Sequence, residues 1–432
     1  KNLVNLHKKN IIKNIQINSK KCKKKDVFFA LEGTRHNGNN FINDAISRGA
    51  QTIISNKKIY GKKDHVRYFY SKNPKSILNK TISKLYNNRK LKIVGVTGTN
   101  GKSSITNFYF QIFKLFKIKV ASIGTLGVNN GKRIKKIQNT TIDPVTLNEQ
   151  LNSIKKSSIK NLILEASSHG LKQKRLDSIR FNIGIFTNLS RDHLDYHKSY
   201  KDYFNSKMIL FKKLMKKNSL VIFDNDANVS DQFKKILIKN KIRFISVGSK
   251  QSDVIIKSCK FIKNKQLINF TLKNKEYNFK TSLIGEIQIK NLLLSIIAAS
   301  QEIPLDKILK KISSIRPVNG RFEPIGSLKN KSRIILDYAH TPDALQTCIK
   351  NIKDNFKFSK ISIVFGCGGE RDKPKRSLMG KVVNKYCEKI YLTDDNPRKE
   401  DPKKIIDQIK KNIDKNKLHV ISNRSLAIKK AI

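Results

Sequence analysis

The segment Gly98-Thr99-Asn100-Gly101-Lys102-Ser103-Ser104 constrains the fold of this chain more than any other. It follows an apolar, β-branched run and precedes a helical pattern over residues 105–113. A strand, a glycine turn and a helix N-terminus in this order form an anion site, because backbone N–H groups close around phosphate oxygens. Lys102 would reach the outer phosphates of a nucleotide and Ser103 would ligate Mg²⁺. Val96 stands where the strict motif has its first glycine, so a glycine turn before a surface lysine is the alternative.

The length of 432 residues suggests about three domains, since domains average roughly 150 residues. We expect an α/β protein with a small α/β domain over residues 1–88, a central P-loop ATPase domain over 89–316 and a Rossmann-like α/β domain over 317–432. In the central domain the alternation of strands and helices predicts a mostly parallel sheet, with ligands at the carboxyl ends of its strands. The expected strands are Asp26–Leu31, Thr52–Ser55, Leu91–Thr97, Asn161–Ala166, Ile183–Thr187, Leu220–Phe223, Phe244–Val247, Arg333–Leu336, Ile361–Phe365, Ile390–Thr393 and His419–Ser422.

The charge balance is strongly basic, with 90 Lys and Arg against 32 Asp and Glu and a net charge of +58. The lysines are spread along the whole chain, which favours a solvated surface coat over a nucleic-acid tract, and no nucleic-acid partner is expected. No run of about 18 apolar residues occurs, so we expect no membrane span. The five cysteines are scattered without a C-x-x-C pair, which argues against zinc and disulfides and favours a reducing, cytoplasmic setting.

Two polar clusters follow predicted central strands. Glu165-Ala166-Ser167-Ser168-His169-Gly170 comes after the strand that begins at Asn161, and a carboxylate there can hold Mg²⁺ against a nucleotide. Thr187-Asn188-Leu189-Ser190-Arg191-Asp192-His193-Leu194-Asp195-Tyr196-His197 follows the next strand and is too polar for a core. A solvated turn is the alternative for the second cluster.

These motifs, with others in the same order over nearly the whole chain, resemble those of the Mur ligases, and among them the enzymes that add the third residue of the peptidoglycan stem peptide. The further motifs are Asn139-Thr140-Thr141, Asn319-Gly320-Arg321, Asp337-Tyr338-Ala339-His340-Thr341-Pro342, Gly366-Cys367-Gly368-Gly369-Glu370-Arg371-Asp372-Lys373 and Asp395-Asn396-Pro397-Arg398. The resemblance implies an ATP-dependent amide ligase acting through an acyl phosphate, with Mg²⁺, in a protein that is monomeric.

The resemblance also implies residue roles. Lys102, Glu165, His193 and Lys207 would be catalytic, and Ser103, Glu165, His193 and a carbamylated Lys207 would ligate Mg²⁺. Further nucleotide contacts would come from Asn291, Arg321, Asp337 and His340. The acceptor UDP-MurNAc-L-Ala-D-Glu would bind Ser19, Asn139, Thr140, Thr141, Ser167, Gln173 and Arg175.

The incoming amino acid would be meso-diaminopimelate, bound by Arg371, Asp395, Asn396, Pro397 and Arg398. Arg398 offers a planar fork to a carboxylate, which diaminopimelate has at its far end and lysine lacks. A turn with a surface arginine is the alternative.

Three other functions remain open at this point. They are a folylpolyglutamate-synthase-like ligase, a nucleic-acid-stimulated NTPase, and an inactive fragment that still binds the UDP-sugar. The third arises because the resemblance implies a downstream Gly-Lys-Gly-His-Glu motif that does not occur before Ile432, and we expect that C-terminal sequence is missing.

Overall fold

The computed structural model describes residues 13–33, 36–262, 265–330, 332–356, 359–370 and 372–432. Their strands form sheets of five, eleven, two and three strands. Three domains follow one another along the chain, and each is built from strands and helices. None of the described helices is long and apolar enough to cross a membrane.

The N-terminal domain is a five-stranded sheet in the order β1-β2-β3-β5-β4, parallel except for the β4–β5 pair. Two helices accompany it, and the second begins at Pro74 behind the capping side chain of Asn73. The strands are β1 Ile15–Gln16, β2 Asp26–Phe29, β3 Ala50–Ser55, β4 Gly61–Lys63 and β5 Val66–Tyr70, and the helices are α1 Ile42–Ser47 and α2 Pro74–Tyr86.

The central domain contains the eleven-stranded sheet, whose seven middle strands are mutually parallel and whose two ends are antiparallel ribbons. Its strands are β6 Lys92–Thr97, β7 Val120–Gly124, β8 Gly127–Asn129, β9 Ile134–Lys135, β10 Asn161–Glu165, β11 Phe181–Phe186, β12 Met215–Asp224, β13 Arg243–Gly248, β14 Val254–Ile262, β15 Lys265–Leu272 and β16 Lys275–Thr281. Its helices are α3 Lys102–Leu115, α4 Pro144–Lys156, α5 Ser168–Lys172, α6 Tyr200–Lys213, α7 Ser230–Lys239, α8 Glu286–Ala299 and α9 Leu305–Lys311. The order across the sheet is β16-β15-β14-β13-β12-β11-β6-β10-β7-β8-β9.

Strand β6 lies in the middle of this sheet and is buried on both faces. Ile93 packs into one hydrophobic cluster and Val94 and Val96 pack into the other, since alternate side chains of a strand point to opposite faces. A continuous β-branched run is therefore the sequence expected here. The loop after β6 emerges at the carboxyl edge of the sheet.

The C-terminal domain has a parallel three-stranded sheet in the order β19-β20-β21 and a separate antiparallel pair, β17 and β18. Residues 333–336, expected as a strand of this α/β domain, form β18, which pairs with β17 and not with the three-stranded sheet in the described residues. This strand, β18, is only half-buried and its last residue is exposed. The elements are β17 Glu323–Ser327, β18 Arg333–Leu336, β19 Ser362–Phe365, β20 Lys389–Leu392, β21 Leu418–Val420, α10 Pro342–Asn355, α11 Pro374–Tyr386, α12 Pro402–Lys410 and α13 Arg424–Ala431.

Candidate active site

The glycine loop after β6 has the backbone that an anion-binding turn requires. Gly98 and Gly101 have φ values of +148° and +89°, a region that side chains with a Cβ rarely occupy. Gly101 is the N-cap of α3, so the first N–H groups of that helix face the loop. A Cβ on Gly101 would lie 2.5 Å from Oδ1 of Asn291, which brings this predicted nucleotide contact on α8 directly against the loop.

The loop is held by the segment that follows β11. The Thr99 N–H donates to the carbonyl oxygen of Asn188 at 2.9 Å, and the Asn100 N–H donates to Oδ1 of Asn188 at 2.9 Å. The Thr187 hydroxyl donates to the carbonyl oxygen of Asn100 at 2.6 Å. Buried Tyr203 lies 3.1 Å from the Thr99 hydroxyl. These bonds fix the loop before any ligand arrives.

Lys102 and Lys207 converge on the same acceptor. The two Nζ atoms each lie 2.8 Å from the carbonyl oxygen of Gly98, and Nζ of Lys102 also donates to Thr99 at 2.7 Å. Lys207 is only 1% exposed. Desolvation lowers the pKa of both amines, and for Lys207, where the fall is large, the nearby charge of Lys102 adds to it. Burial and this neighbouring charge therefore both disfavour the charged form of Lys207.

Glu165 ends β10 at the level of the glycine loop. Its strand register pairs it with Val96, while Phe186 of β11 pairs with Thr97, so the carboxyl ends of both neighbours of β6 meet at the loop. The Glu165 carboxylate is buried and accepts from the Thr125 N–H at 2.8 Å and the Thr125 hydroxyl at 3.1 Å. Its orientation is thus fixed.

The predicted acceptor-binding residues form a network that is continuous with Glu165. The Thr141 hydroxyl donates to the carbonyl oxygen of Glu165 at 2.9 Å and accepts from the Ser167 N–H at 2.9 Å. Arg175 donates to the Thr141 carbonyl at 2.6 Å and to Oε1 of Gln173 at 2.9 Å. The Thr140 hydroxyl lies 3.0 Å from that of Thr125, and Asn139 is exposed beside it.

A buried carboxylate joins two predicted site histidines from different domains. Oδ2 of Asp192 lies 3.3 Å from Nε2 of His193 and 3.5 Å from Nε2 of His340. Burial alone would raise the pKa of Asp192, but the hydrogen bond from His340 and the positive charges around it hold that pKa below its usual range. Burial lowers the pKa of His193 to about 3, so its imidazole is neutral at physiological pH. Arg191 and Asp372 form a second contact between these domains at 3.4 Å.

The other predicted nucleotide contacts lie at this same domain junction. The Arg321 guanidinium stacks 4.4 Å over the ring of Tyr338. Asp337 accepts from the backbone N–H groups of Phe322 at 2.6 Å and Ala339 at 2.8 Å, and burial raises the pKa of its carboxyl.

Asp395-Asn396-Pro397-Arg398 lies against the glycine-rich loop of the C-terminal domain. The Gly369 N–H donates to the Asn396 carbonyl at 2.9 Å, and the exposed Arg398 guanidinium donates to the Gly369 carbonyl at 2.5 Å. Arg398 has a φ of +53°. Asp395 pairs with Arg424 at 3.4 Å.

One described contact, Ser19, is not joined to this arrangement, and one predicted contact cannot be placed. Arg371 lies outside the described residues. Ser19 is buried in the N-terminal domain, where its hydrogen bond lowers the pKa of Asp44. Sequence reasoning missed Thr125, which orients Glu165, because the strand before it, β7, was not among those predicted.

The donors at the phosphate loop suit Mg²⁺. Among the described residues no three His, Cys, Asp or Glu side chains are grouped to hold a metal ion by themselves. Mg²⁺ is commonly bound by one or two carboxylates together with nucleotide phosphates. The oriented Glu165 carboxylate and the Ser103 hydroxyl on the first turn of α3 fit that pattern.

Comparison with known protein families identifies all three domains. The Mur ligase family catalytic domain matches residues 11–86, the Mur ligase middle domain matches 96–299, and the Mur ligase glutamate ligase domain matches 320–432. A UDP-N-acetylmuramoyl-L-alanyl-D-glutamate--2,6-diaminopimelate ligase from Rickettsia conorii is 40% identical over 100% of this chain and 90% of its own length. The enzyme of that name from Aquifex aeolicus is 38% identical over 98% of this chain and 86% of its own.

Solved structures agree on the fold. A structure of a UDP-N-acetylmuramoyl-L-alanyl-D-glutamate--2,6-diaminopimelate ligase matches with a TM-score of 0.71 and 27% identity, over 97% of this chain and 86% of that one. A folylpolyglutamate synthase from Mycobacterium tuberculosis matches with a TM-score of 0.67 but 13% identity, over 82% of this chain and 87% of that one, which shows the shared fold alone. The three domain matches and the 40% identity over the whole chain show that it belongs to the Mur ligase family of ATP-dependent amino-acid ligases.

Proposed function

We propose that this chain joins meso-diaminopimelate to the D-glutamyl carboxylate of UDP-MurNAc-L-Ala-D-Glu, with conversion of ATP to ADP and phosphate, in the cytoplasm. The observation that carries the proposal is the hydrogen-bonded path from Arg175 through Thr141 to Glu165, which ends beside the phosphate loop. A peptide bound along this path would present the γ-carboxylate of its D-glutamyl residue to the γ-phosphate. The names of relatives 37–40% identical to this chain support the same pair of substrates.

The first step is attack of the acceptor carboxylate on the γ-phosphorus of ATP, which forms an acyl phosphate and releases ADP. Such phosphoryl transfers depend mainly on positioning and charge neutralisation. Lys102 now donates to two loop carbonyls, and on binding it would exchange them for phosphate oxygens. The N–H groups at the start of α3 would bind the same phosphates.

In the second step the amine of diaminopimelate attacks the acyl carbon, and the tetrahedral intermediate collapses with loss of phosphate. Water competes with the amine, so the site has to exclude it. The contacts of Asp192 with His340 and of Arg191 with Asp372 join the central and C-terminal domains at this site. We propose that these contacts keep the two domains together over the acyl phosphate. We also propose that the domain boundaries lie near residues 88 and 316.

Mg²⁺ would be held by Glu165, Ser103, His193 and a carbamylated Lys207. The ion would neutralise phosphate charge when bound. The Lys207 carbamate would arise when the neutral amine attacks CO₂, which forms an N–C bond as the nitrogen loses a proton. Burial of Lys207 and the proximity of Lys102 favour the neutral amine that this addition requires.

Diaminopimelate would be selected by its distal carboxylate. The Arg398 guanidinium uses one N–H group on the Gly369 carbonyl and is exposed to solvent, so its remaining donors are available for a carboxylate. We propose Arg371, Asp395, Asn396 and Pro397 as the rest of this subsite.

Phosphate release with UDP-MurNAc-L-Ala-D-Glu and ATP, measured with either meso-diaminopimelate or L-lysine, tests the proposal. We expect release that depends on both the acceptor and diaminopimelate, and little with lysine. Release that needs no acceptor, or that DNA or RNA stimulates instead, would refute it.

A further inference from the structure

The C-terminal domain contains an arginine that is completely buried although no catalytic step uses it. Arg376 lies in the first turn of α11 and is 0% exposed. Its Nη1 donates to Oε2 of Glu400 at 2.8 Å and to Oε1 of Gln408 at 2.8 Å. Its Nη2 donates to Oε1 of Glu400 at 3.1 Å and to the carbonyl oxygen of Gly368 at 3.1 Å.

These bonds connect the two loops that carry the proposed amino-acid subsite. Gly368 belongs to the glycine-rich loop after β19, and Glu400 belongs to the turn after β20. Glu400 also accepts from the Glu370 N–H and closes its own turn by donating from its backbone to Pro397 at 3.0 Å. The guanidinium and the carboxylate therefore connect the two loops to each other through these hydrogen bonds.

The two loops are packed closely enough that a small displacement would alter both. A Cβ on Gly369 would lie 1.8 Å from the Pro397 carbonyl oxygen, and one on Gly368 would lie 2.9 Å from Nη1 of Arg398. The position of the Arg398 guanidinium depends on this contact between the loops, because it donates a hydrogen bond to the Gly369 carbonyl.

We propose that Arg376, paired with Glu400, is a positioning residue that fixes the direction of Arg398 and so sets affinity for the amino-acid substrate. The proposal rests on the proposed function. Burial of an arginine carries a large desolvation cost, and a well-packed apolar side chain is often as stabilising as a buried ion pair. Stability alone is therefore a weak reason for Arg376 to be buried. Displacement of a substrate-positioning group by about 1 Å can cost about 100-fold in rate. The hydrogen bond from Arg376 also lowers the pKa of Glu400 to about 2, so the pair stays ionised at physiological pH.

The test uses Glu400→Gln, which keeps the shape but removes the charge, and Arg376→Lys, which keeps the charge but removes the fork. Lys360→Gln is the control, because it deletes an exposed ion pair with Glu388 in the same domain, before β19 and β20 begin and so at the opposite ends of these strands from the two loops. We expect both test variants to raise KM for meso-diaminopimelate at least tenfold, with KM for ATP and for the UDP-MurNAc dipeptide within twofold of wild type. The control should match wild type in all three.

Hydrogen exchange of the free enzyme provides a readout that needs no turnover. We expect the backbone amides of residues 368–370 and 396–400 to exchange at least tenfold faster in both test variants, with β6 and α3 unchanged. A wild-type KM for meso-diaminopimelate, or an equal rise in all three KM values, would overturn the proposal, as would unchanged exchange. Glu400 is partly exposed, so its variant decides the matter even if Arg376→Lys fails to fold. Absence of diaminopimelate-dependent turnover in the wild type would instead refute the proposed function.

Discussion

Replacement of Gly98 by alanine is the most direct test of how the phosphate loop is built. Gly98 has a φ of +148°, and an added Cβ would lie 1.8 Å from Oγ1 of Thr187 and 3.1 Å from the Asn188 nitrogen. The Thr187 side chain must therefore move. Its 2.6 Å hydrogen bond to the Asn100 carbonyl would be lost with that movement.

Two costs add in this variant. The unfavourable backbone conformation costs about 1–2 kcal/mol. The lost hydrogen bond costs about 0.5–1.5 kcal/mol and leaves a buried acceptor poorly satisfied. We expect Gly98→Ala to destabilise the central domain by about 1.5–3.5 kcal/mol. Gly131→Ala is the matched control, because its φ is +84° while the nearest heavy atom to an added Cβ lies 3.8 Å away. Gly131→Ala therefore has only the cost of the unfavourable backbone conformation.

Native-state hydrogen exchange of the peptides covering β6 and α3 measures these costs locally, whatever the other domains do. Thr187→Ala removes the obstructing hydroxyl, so Gly98→Ala combined with Thr187→Ala should cost less than the sum of the two single variants. The affinity for ATP should fall in Gly98→Ala and stay unchanged in Gly131→Ala. Equal costs for the two glycines, or full additivity with Thr187→Ala, would refute the steric reasoning.

Three further outcomes are expected. Glu165→Gln should keep the hydrogen bond that its Oε1 accepts from the Thr125 N–H, with its amide NH2 group donating to the Thr125 hydroxyl instead of accepting from it. It should raise the Mg²⁺ concentration needed for half-maximal phosphate release at least tenfold, and an unchanged Mg²⁺ titration would exclude this carboxylate as a ligand. Arg398→Lys should raise KM for meso-diaminopimelate at least tenfold without altering KM for ATP, because an ammonium cannot reproduce a bidentate fork; equal KM values would contradict carboxylate recognition by this side chain. Burial lowers the pKa of His197 to about 4, so the unfolded chain binds the proton first as the pH falls, and stability should decline between about pH 6.5 and pH 4. In His197→Gln the denaturation midpoint should fall less steeply with pH over this range than in wild type. If the variant and the wild type had the same pH profile, other groups would be the cause of the decline.

The central sheet was predictable where strands are buried on both faces. The expected strand over residues 91–97 is β6, and the one over 161–166 is β10, each within a residue or two of its limits. Such strands need continuous apolar runs, and those runs are visible without a structure. The expectation that Glu165 would lie beside the nucleotide followed from the rule that ligands collect at the carboxyl ends of parallel strands.

The antiparallel ribbon β14–β16 was not predicted, for a physical reason. Only one face of β15 is buried, and β14 is exposed over most of its second half, where polar and charged residues such as Lys257 and Lys260 interrupt the apolar ones. Lysines are so abundant in this chain that an exposed strand face and a loop have similar compositions. The partnership of Thr125 with Glu165 was equally invisible, because a hydrogen bond between residues forty positions apart leaves no local pattern.

The exposed fraction of the side chain distinguishes the few basic residues that support functional loops from the many that lie on the surface. A charged group removed from water loses several kcal/mol of solvation, so it persists in a core only where partners or function compensate. Among the described residues the buried lysine and arginine side chains are Lys207, Lys375 and Arg376. Lys207 donates to Gly98 in the phosphate loop, Lys375 donates to the carbonyl of His340 at 2.9 Å, and Arg376 donates to Gly368. Lys207 therefore supports the proposed nucleotide loop, Lys375 the loop at the domain junction, and Arg376 a loop of the proposed amino-acid subsite. The resemblance had pointed to Lys207, but a net charge of +58 concealed Lys375 and Arg376 in the sequence. Burial distinguishes all three, and neutral replacements at these positions should impair activity far more than at exposed lysines.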